Sequence, residues 1–493
     1  MSRRDQEQRL TMNIVERPGR RRRLGIVGVA AAMCLTSAFS LATGDSPADE
    51  LASSPPNDHF VILVSLDGFA HFYIDDPLTH MPALRRMIRE GAVADQGMEC
   101  SFPTVTWPNH TTLVTGVPPA KHGVLANMVF DREKGETVQL LVDPVFDKDE
   151  IVRVPTIYDV AHAAGLKTAA VVWPATRNAK TLHWTTPDMK SPGFEKYATP
   201  GWLDELKAEG IPVDRYGPWV DAKEGGPRRD WIATREVISL LRKKDRPNLI
   251  LLHLIELDHA QHDAGPRSGD ARWAVSTMDD RVRDLRDAIE ELGLRDKATL
   301  LVTSDHGFFA TEQSIHVNSK LRELGLVAVD DKKVVSKQAW SVSQGGAAAV
   351  YVIPSEGRDE IIATIRSAIA GVDGVEQVFT APKDFQKLGQ ATRDQDKFGA
   401  DLWLAAKEGY SFSNDATRDS VVTKNAKRDG THGYLPHHPD MRGIFIAWGR
   451  GVRPGTKFGL IKNTHVAPTA AQLLDLEIPS ADKPLREIQP PPR

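Results

Sequence analysis

Short apolar runs that do not alternate with polar residues recur along this chain, at residues 61–66, 168–173, 249–255, 299–303, 347–353 and 443–448. Each is four to eight residues long and rich in Val, Ile and Leu, a pattern that suits strands buried on both faces rather than strands with one wet side. Between them lie stretches with helical periodicity, at 81–90, 230–243 and 272–291. The alternation predicts an α/β fold in which a mostly parallel central sheet is sandwiched between helices. Residues 330–425 break the rhythm: polar and rich in Lys and Asp, they are expected to form a small inserted accessory lobe with few strands. No repeat of 20–50 residues is evident, which sets solenoid and propeller architectures aside.

The two ends read differently. Arg20 to Arg23 precede an apolar run, 24–41, interrupted only by small residues, so 1–42 is expected to be an export signal. Left uncleaved, it would serve as an N-terminal membrane anchor. Residues 43–57, with Gly44, Pro47, Pro55 and Pro56 among Ser, Asp and Asn, read as a linker. The catalytic domain is expected at 58–484 and a disordered tail at 485–493, and the destination is the periplasm or the medium.

Composition narrows the chemistry. With 493 residues, 41% hydrophobic and 26% charged, the chain has enough apolar material for a large core. A formal charge of −4 argues against nucleic-acid binding through a basic surface, which needs clustered Lys and Arg. The cysteines are Cys34, inside the export segment, and Cys100. A cleaved protein therefore has no intrachain disulfide, and Cys100 is expected to be a buried structural residue.

Residues with metal-ligand chemistry sit at the carboxyl ends of the predicted strands. Asp67 follows 61–66, Asp258 and His262 follow 249–255, and Asp305 and His306 follow 299–303. In an open α/β sheet the crevice beyond those ends is where ligands bind, so three distant segments converge. Asp258 and His262 are four residues apart and share one helix face. His432 lies between Gly430 and Gly433, which permit a tight bend near a ligand. Asp/His sets of this kind favour zinc over magnesium. Thr106 precedes Pro108, a residue suited to a helix's first turn, so its hydroxyl is expected at a helix amino end where an alkoxide is stabilised.

Thr106-Trp107-Pro108-Asn109-His110, Asp258 to Pro266 with its Asp-x-x-x-His-x-x-Gly-Pro spacing, Asp305-His306-Gly307 and His432-Gly433-Tyr434 together resemble the nucleotide pyrophosphatase/phosphodiesterase family of the alkaline-phosphatase superfamily. The resemblance runs from about Phe60 to Ile478. It implies an alkaline-phosphatase-like fold and two Zn2+ ions, one held by Asp258, His262 and His432 and one by Asp67, Asp305 and His306 with Thr106. It implies Thr106 as nucleophile, a phosphothreonine intermediate, Asn127 donating to a phosphoryl oxygen, and Trp107 packing on the substrate. The substrate would be a small phosphodiester or pyrophosphate of nucleotide type. Two positions depart from the family: His253 stands where a tyrosine usually helps to sandwich a base, and Glu256-Leu257 where Glu-Pro is usual, so nucleobase recognition does not carry over. His110, His122, His259 and His465 are expected to be structural or superficial, with His437 and His438 near the substrate entrance. Rival readings are a phosphonoacetate-type phosphonate hydrolase with the same metal sites, a phosphomonoesterase, and a non-catalytic metal-stabilised envelope binding protein. Oligomeric state is not legible from the sequence.

Overall fold

The structure, a computed structural model, describes residues 58–140, 146–220, 222 and 225–489; the expected export signal and the linker lie outside them. The apolar runs form an eight-stranded sheet. From one edge it runs Thr456–Lys457, Ala92–Val93, Phe445–Gly449, Ala298–Thr303, Phe60–Leu66, Leu249–Leu254, Thr168–Trp173 and Trp184–Pro187. The last five pair in parallel, whereas Phe445–Gly449 runs antiparallel to Ala298–Thr303.

Alternate side chains of the central strand serve two cores. Ile62, Val64 and Leu66 meet Val275, Met278 and Val282 of helix Gly269–Glu291. Val61 and Leu63 meet Leu113 of helix Thr106–Thr115 and Val466 and Leu473 of helix Val466–Leu473. Burying one such aliphatic side chain is worth about 1.5–3 kcal/mol, so a layer on each face explains why these runs carry no polar alternation. This is the mostly parallel sheet between helices that the pattern predicts.

Two expectations need correction. The 347–353 run does not join the central sheet. Ala347–Val352 lies in a separate four-stranded antiparallel sheet with Ala339–Ser343, Leu402–Ala406 and Val375–Phe379. The 330–425 stretch is therefore strand-rich, and its outer strands escaped notice because they are short and half-polar, as in Val375–Phe379. Its inner face packs onto the nucleophile segment, with the Trp403 and Phe102 rings 5.1 Å apart. The second correction concerns the tail: Leu485 and Ile488 are buried, and the Ile488 carbonyl accepts a hydrogen bond from Gln472. Order thus extends to Gln489.

Candidate active site

Sheet register brings the candidate ligands together. Phe60–Leu66 is flanked by Leu249–Leu254 on one side and Ala298–Thr303 on the other. The residues just past their carboxyl ends, Asp67, Asp258 and Asp305, therefore gather at one place: Asp67 and Asp258 line a cavity of about 610 Å3 with His262, His432, Thr106 and Asn127, and Asp305 and His306 are fully buried beneath it. Asp258 and His262 lie on helix Glu256–Ala264. His432 is delivered by a bend at Gly433, whose φ is +97° and where a Cβ would meet the Gln344 carbonyl oxygen at 1.9 Å. The Gly433 amide donates to Thr104 O at 2.9 Å, tying this bend to the nucleophile segment.

Each imidazole is held by a backbone carbonyl. Nδ1 of His262 donates to Gly430 O at 3.0 Å, Nδ1 of His306 to Gly307 O at 3.1 Å, and Nδ1 of His432 to Thr104 O at 3.0 Å. Carbonyl oxygen only accepts, so the proton sits on Nδ1 and the Nε2 lone pair is left facing the crevice. Burial keeps two of these rings neutral: it pushes His432 down to about 4 and, with His432 beside it, holds His306 well below the usual range.

The carboxylates are tied by one oxygen and bare at another. Asp305 Oδ1 accepts from the amides of Gly68 and His306 at 3.1 and 3.0 Å, and Asp67 Oδ2 is 2.9 Å from His253 Nε2. Asp67 Oδ1, Asp258 Oδ1, Asp305 Oδ2 and His306 Nε2 are buried with no hydrogen-bond partner. These bare atoms face one another. His306 Nε2 is 3.3 Å from Asp67 Oδ1 and 3.1 Å from Asp305 Oδ2, and Asp258 Oδ1 is 3.5 Å from His432 Nε2. Lone pairs facing lone pairs across such gaps are repulsive unless a cation lies between them. Burial, reinforced by Asp258 at Asp67 and by Asp67 at Asp305, accordingly raises both carboxyls well above the ordinary range. The donor set of carboxylate oxygens and imidazole nitrogens fits zinc.

In and beside the crevice, potential ligand atoms fall into two groups, Asp258/His262/His432 and Asp67/Asp258/His306, each within 4.8 Å. The second group brings in Asp258 where the family resemblance implied Asp305, whose Oδ2 is nevertheless 3.1 Å from His306 Nε2. The groups adjoin: the His306 and His432 rings stack at 3.8 Å.

Thr106 opens helix Thr106–Thr115 at the crevice, after Val105, which caps nothing through its side chain. The helix dipole favours negative charge there. The Trp107 amide donates to Asn127 Oδ1 at 2.8 Å, which turns the Asn127 side-chain N–H2 away from that bond. Gln344, from the antiparallel lobe, receives the Asn127 backbone N–H at 3.0 Å. Trp107 itself is not brought to the crevice: it is 1% exposed and packs with Phe102, Val124 and Leu125. Cys100 is buried, its thiol pushed up by desolvation.

Three residues take parts the sequence reading did not assign. His253 is no base-sandwiching residue; it is 1% exposed, with Nδ1 3.1 Å from Val172 O and Nε2 2.9 Å from Asp67 Oδ2. His110 donates from Nδ1 to the Thr106 carbonyl at 2.9 Å and has that nitrogen 3.5 Å from Asp305 Oδ2. Gln344 gave no signal in sequence, whereas a histidine inside an apolar buried strand had to have a partner. His437 and His438 do not line this cavity.

The type I phosphodiesterase/nucleotide pyrophosphatase family model matches residues 61–435. Human ectonucleotide pyrophosphatase/phosphodiesterase family member 5 is 24% identical over 451 residues, spanning 91% of this chain and 78% of the relative. The mouse family member 7 is 26% identical over 436 residues, spanning 87% and 86%. The solved human member 5 superposes with a TM-score of 0.64 at 22% identity, covering 87% of this chain and 98% of that one. An inactive threonine-to-alanine variant of the murine member 5, in complex with AMP, gives 0.64 at 22% identity, covering 87% and 99%. With the family model spanning most of its length, this chain belongs to the type I phosphodiesterase/nucleotide pyrophosphatase family and is a phosphoric ester hydrolase of alkaline-phosphatase-like fold.

Proposed function

We propose that the chain is an exported two-zinc enzyme that cleaves phosphodiester or pyrophosphate bonds of small nucleotide-type substrates through a phosphothreonine intermediate on Thr106. The observation that carries this reading is the ring of bare carboxylate and imidazole lone pairs directed at one another beside a threonine at a helix amino end. Asp258, His262 and His432 would hold one zinc, and Asp67, Asp305 and His306, with Thr106, the other. Bound there, the ions would supply Lewis-acid charge to the attacking and leaving oxygens and lower the pKa of the threonine hydroxyl.

Among the described residues no side chain hydrogen-bonds Thr106 Oγ1, so the hydroxyl has no paired general base of serine-hydrolase type. The helix amino end stabilises the alkoxide and aligns it for in-line attack on phosphorus. The P–O bond to the leaving group breaks as the Thr106–phosphorus bond forms, and water then cleaves the phosphothreonine. Asn127, oriented by the Trp107 amide, donates its side-chain N–H to an equatorial oxygen. His253 holds Asp67 from behind, and His110, bonded to the Thr106 carbonyl, stands 3.5 Å from Asp305 Oδ2. The AMP bound by the murine relative supports a nucleotide-type substrate. Trp107, which resemblance to the family assigns to substrate packing, would instead stiffen the wall behind Thr106. Arg20 to Arg23 and the apolar 24–41 run support export.

Hydrolysis of bis(p-nitrophenyl) phosphate against p-nitrophenyl phosphate by the zinc-loaded protein tests the reading. Faster diester cleavage, lost in Thr106→Ala, is expected; zinc-independent cleavage, or none of either compound, would overturn it.

A further inference from the structure

A second cluster of metal-type side chains lies outside the catalytic crevice. His438 Nε2 is 3.0 Å from Glu376 Oε2, and His437 Nε2 is 3.9 Å from Glu376 Oε1. The two rings stack at 4.4 Å with 28° between their planes. All three residues offer ligand atoms within 4.8 Å of one another.

The backbone prearranges this tripod. Pro436 and Pro439 bracket the histidine pair, and the residue before a proline is confined to extended conformations. His438 adopts φ −64° and ψ 127° as that restriction requires, while its ring packs edge-on against Phe309 at 5.5 Å. Glu376 comes from strand Val375–Phe379 of the antiparallel lobe. A hydrogen bond to His438 accounts for one carboxylate oxygen. It does not account for His437, whose ring is turned to the same carboxylate from beyond hydrogen-bond reach. A cation between the three groups accounts for both. His437 also lines a second cavity, of about 470 Å3, so water has access to complete the coordination.

We propose that Glu376, His437 and His438 form a peripheral site for a borderline divalent transition ion, zinc in the first instance, independent of the catalytic pair. Two imidazoles and one carboxylate select zinc, nickel or copper over magnesium or calcium. The ion would staple the antiparallel lobe to the 432–441 segment. That segment carries His432, and through the carbonyls of Asp440 and Met441 it receives the amides of Phe308 and Gly307, next to His306. Occupancy therefore stiffens the frame behind both candidate catalytic sets without supplying a ligand to either.

Equilibrium dialysis of the untagged full-length protein against micromolar zinc, with bound metal counted by atomic emission, tests the site. The wild type should hold one more ion per chain than Glu376→Gln and than the His437→Ala/His438→Ala double variant, with all three melting alike without metal. Asp258→Asn, which attacks the catalytic set, should keep the peripheral ion, so failure of the catalytic reading and failure of this one are separable. Equal ion counts in wild type and both peripheral variants would overturn the proposal. So would loss of the extra ion in Asp258→Asn alone.

Discussion

The two candidate ligand sets in the crevice are built from the same residue types and differ in their surroundings. In Asp258/His262/His432 the side chains are 13%, 40% and 9% exposed. In Asp67/Asp305/His306 they are 6%, 0% and 0% exposed, and His253 and His110 stand behind them. The first set rides on a helix and a glycine bend at the crevice mouth, and the second is sunk at the ends of the two central strands. A site with a wet edge exchanges its ion through water. A sunken one exchanges only when its carboxylates are left uncompensated, which is costly in a low-dielectric setting.

The largest effect expected from this arrangement falls on Thr106, which stands beside both sets. Thr106→Ala should lower diester turnover on the order of 10^3-fold or more, the scale of removing a nucleophile, while zinc content stays near that of the wild type. A large loss of zinc in that variant would mean that the hydroxyl holds metal more than it attacks.

Next in size is the asymmetry between the sets. On titration of the Glu376→Gln protein, which lacks the peripheral ion, with a chelator, zinc should leave in two phases, the fast one abolished by adding His262→Ala and the slow one by adding Asp67→Asn. A single phase in that protein would show that exposure does not govern release. The props behind the sunken set sharpen the same contrast. His253→Leu should weaken the slowly released ion by about 10–100-fold, the usual effect of removing a group that orients a ligand. His253→Gln, which keeps a donor near Asp67, should recover part of that, and neither change should alter the fast phase.

How much of this was legible in the sequence follows from the same contrast. Asp67, Asp258, His262, Asp305, His306 and His432 could be picked out because each sits at a strand's carboxyl end or in a tight glycine bend, features that local pattern reveals. Their division between two sites could not: Asp258 lies within reach of His432 and, through its other neighbours, of the sunken set, a matter of strand register. His253 was noticed as a departure, but its bond to Asp67 depends on pairing opposite Ser65 on the neighbouring strand. Trp107 shows the limit in the other direction. The family resemblance implied a substrate contact, whereas the helical turn of about 100° per residue carries its side chain off the crevice into the core. Within 330–425, strands such as Gly409–Ser413, which pairs in parallel with Phe309–His316, are half-exposed and short, so hydrophobic pattern alone did not show them.

The smallest effect concerns a carboxyl that is just as buried but has no cationic role. Glu236, on helix Gly225–Arg242, is fully buried and accepts a hydrogen bond from Thr186 at 2.9 Å. Desolvation pushes it up to about 8 from an ordinary 4.5. Below pH 4.5 the folded and unfolded chains both carry its proton, and the group adds no pH dependence. Between 4.5 and 8 the unfolded chain has released the proton and the folded chain retains it, so stability falls as pH rises, by at most about 1.4 kcal/mol per unit from one group. Above 8 the loss levels off. Glu236→Gln, of the same shape and without the proton, should therefore melt higher than the wild type at pH 8 and equally at pH 4.5, with zinc content and diester turnover unchanged. The sunken carboxylates Asp67 and Asp305 are expected to do the reverse under the same change to amide, losing metal and activity. If Glu236→Gln were equally damaging, burial alone would not separate a carboxyl kept neutral by the core from one kept charged for a cation.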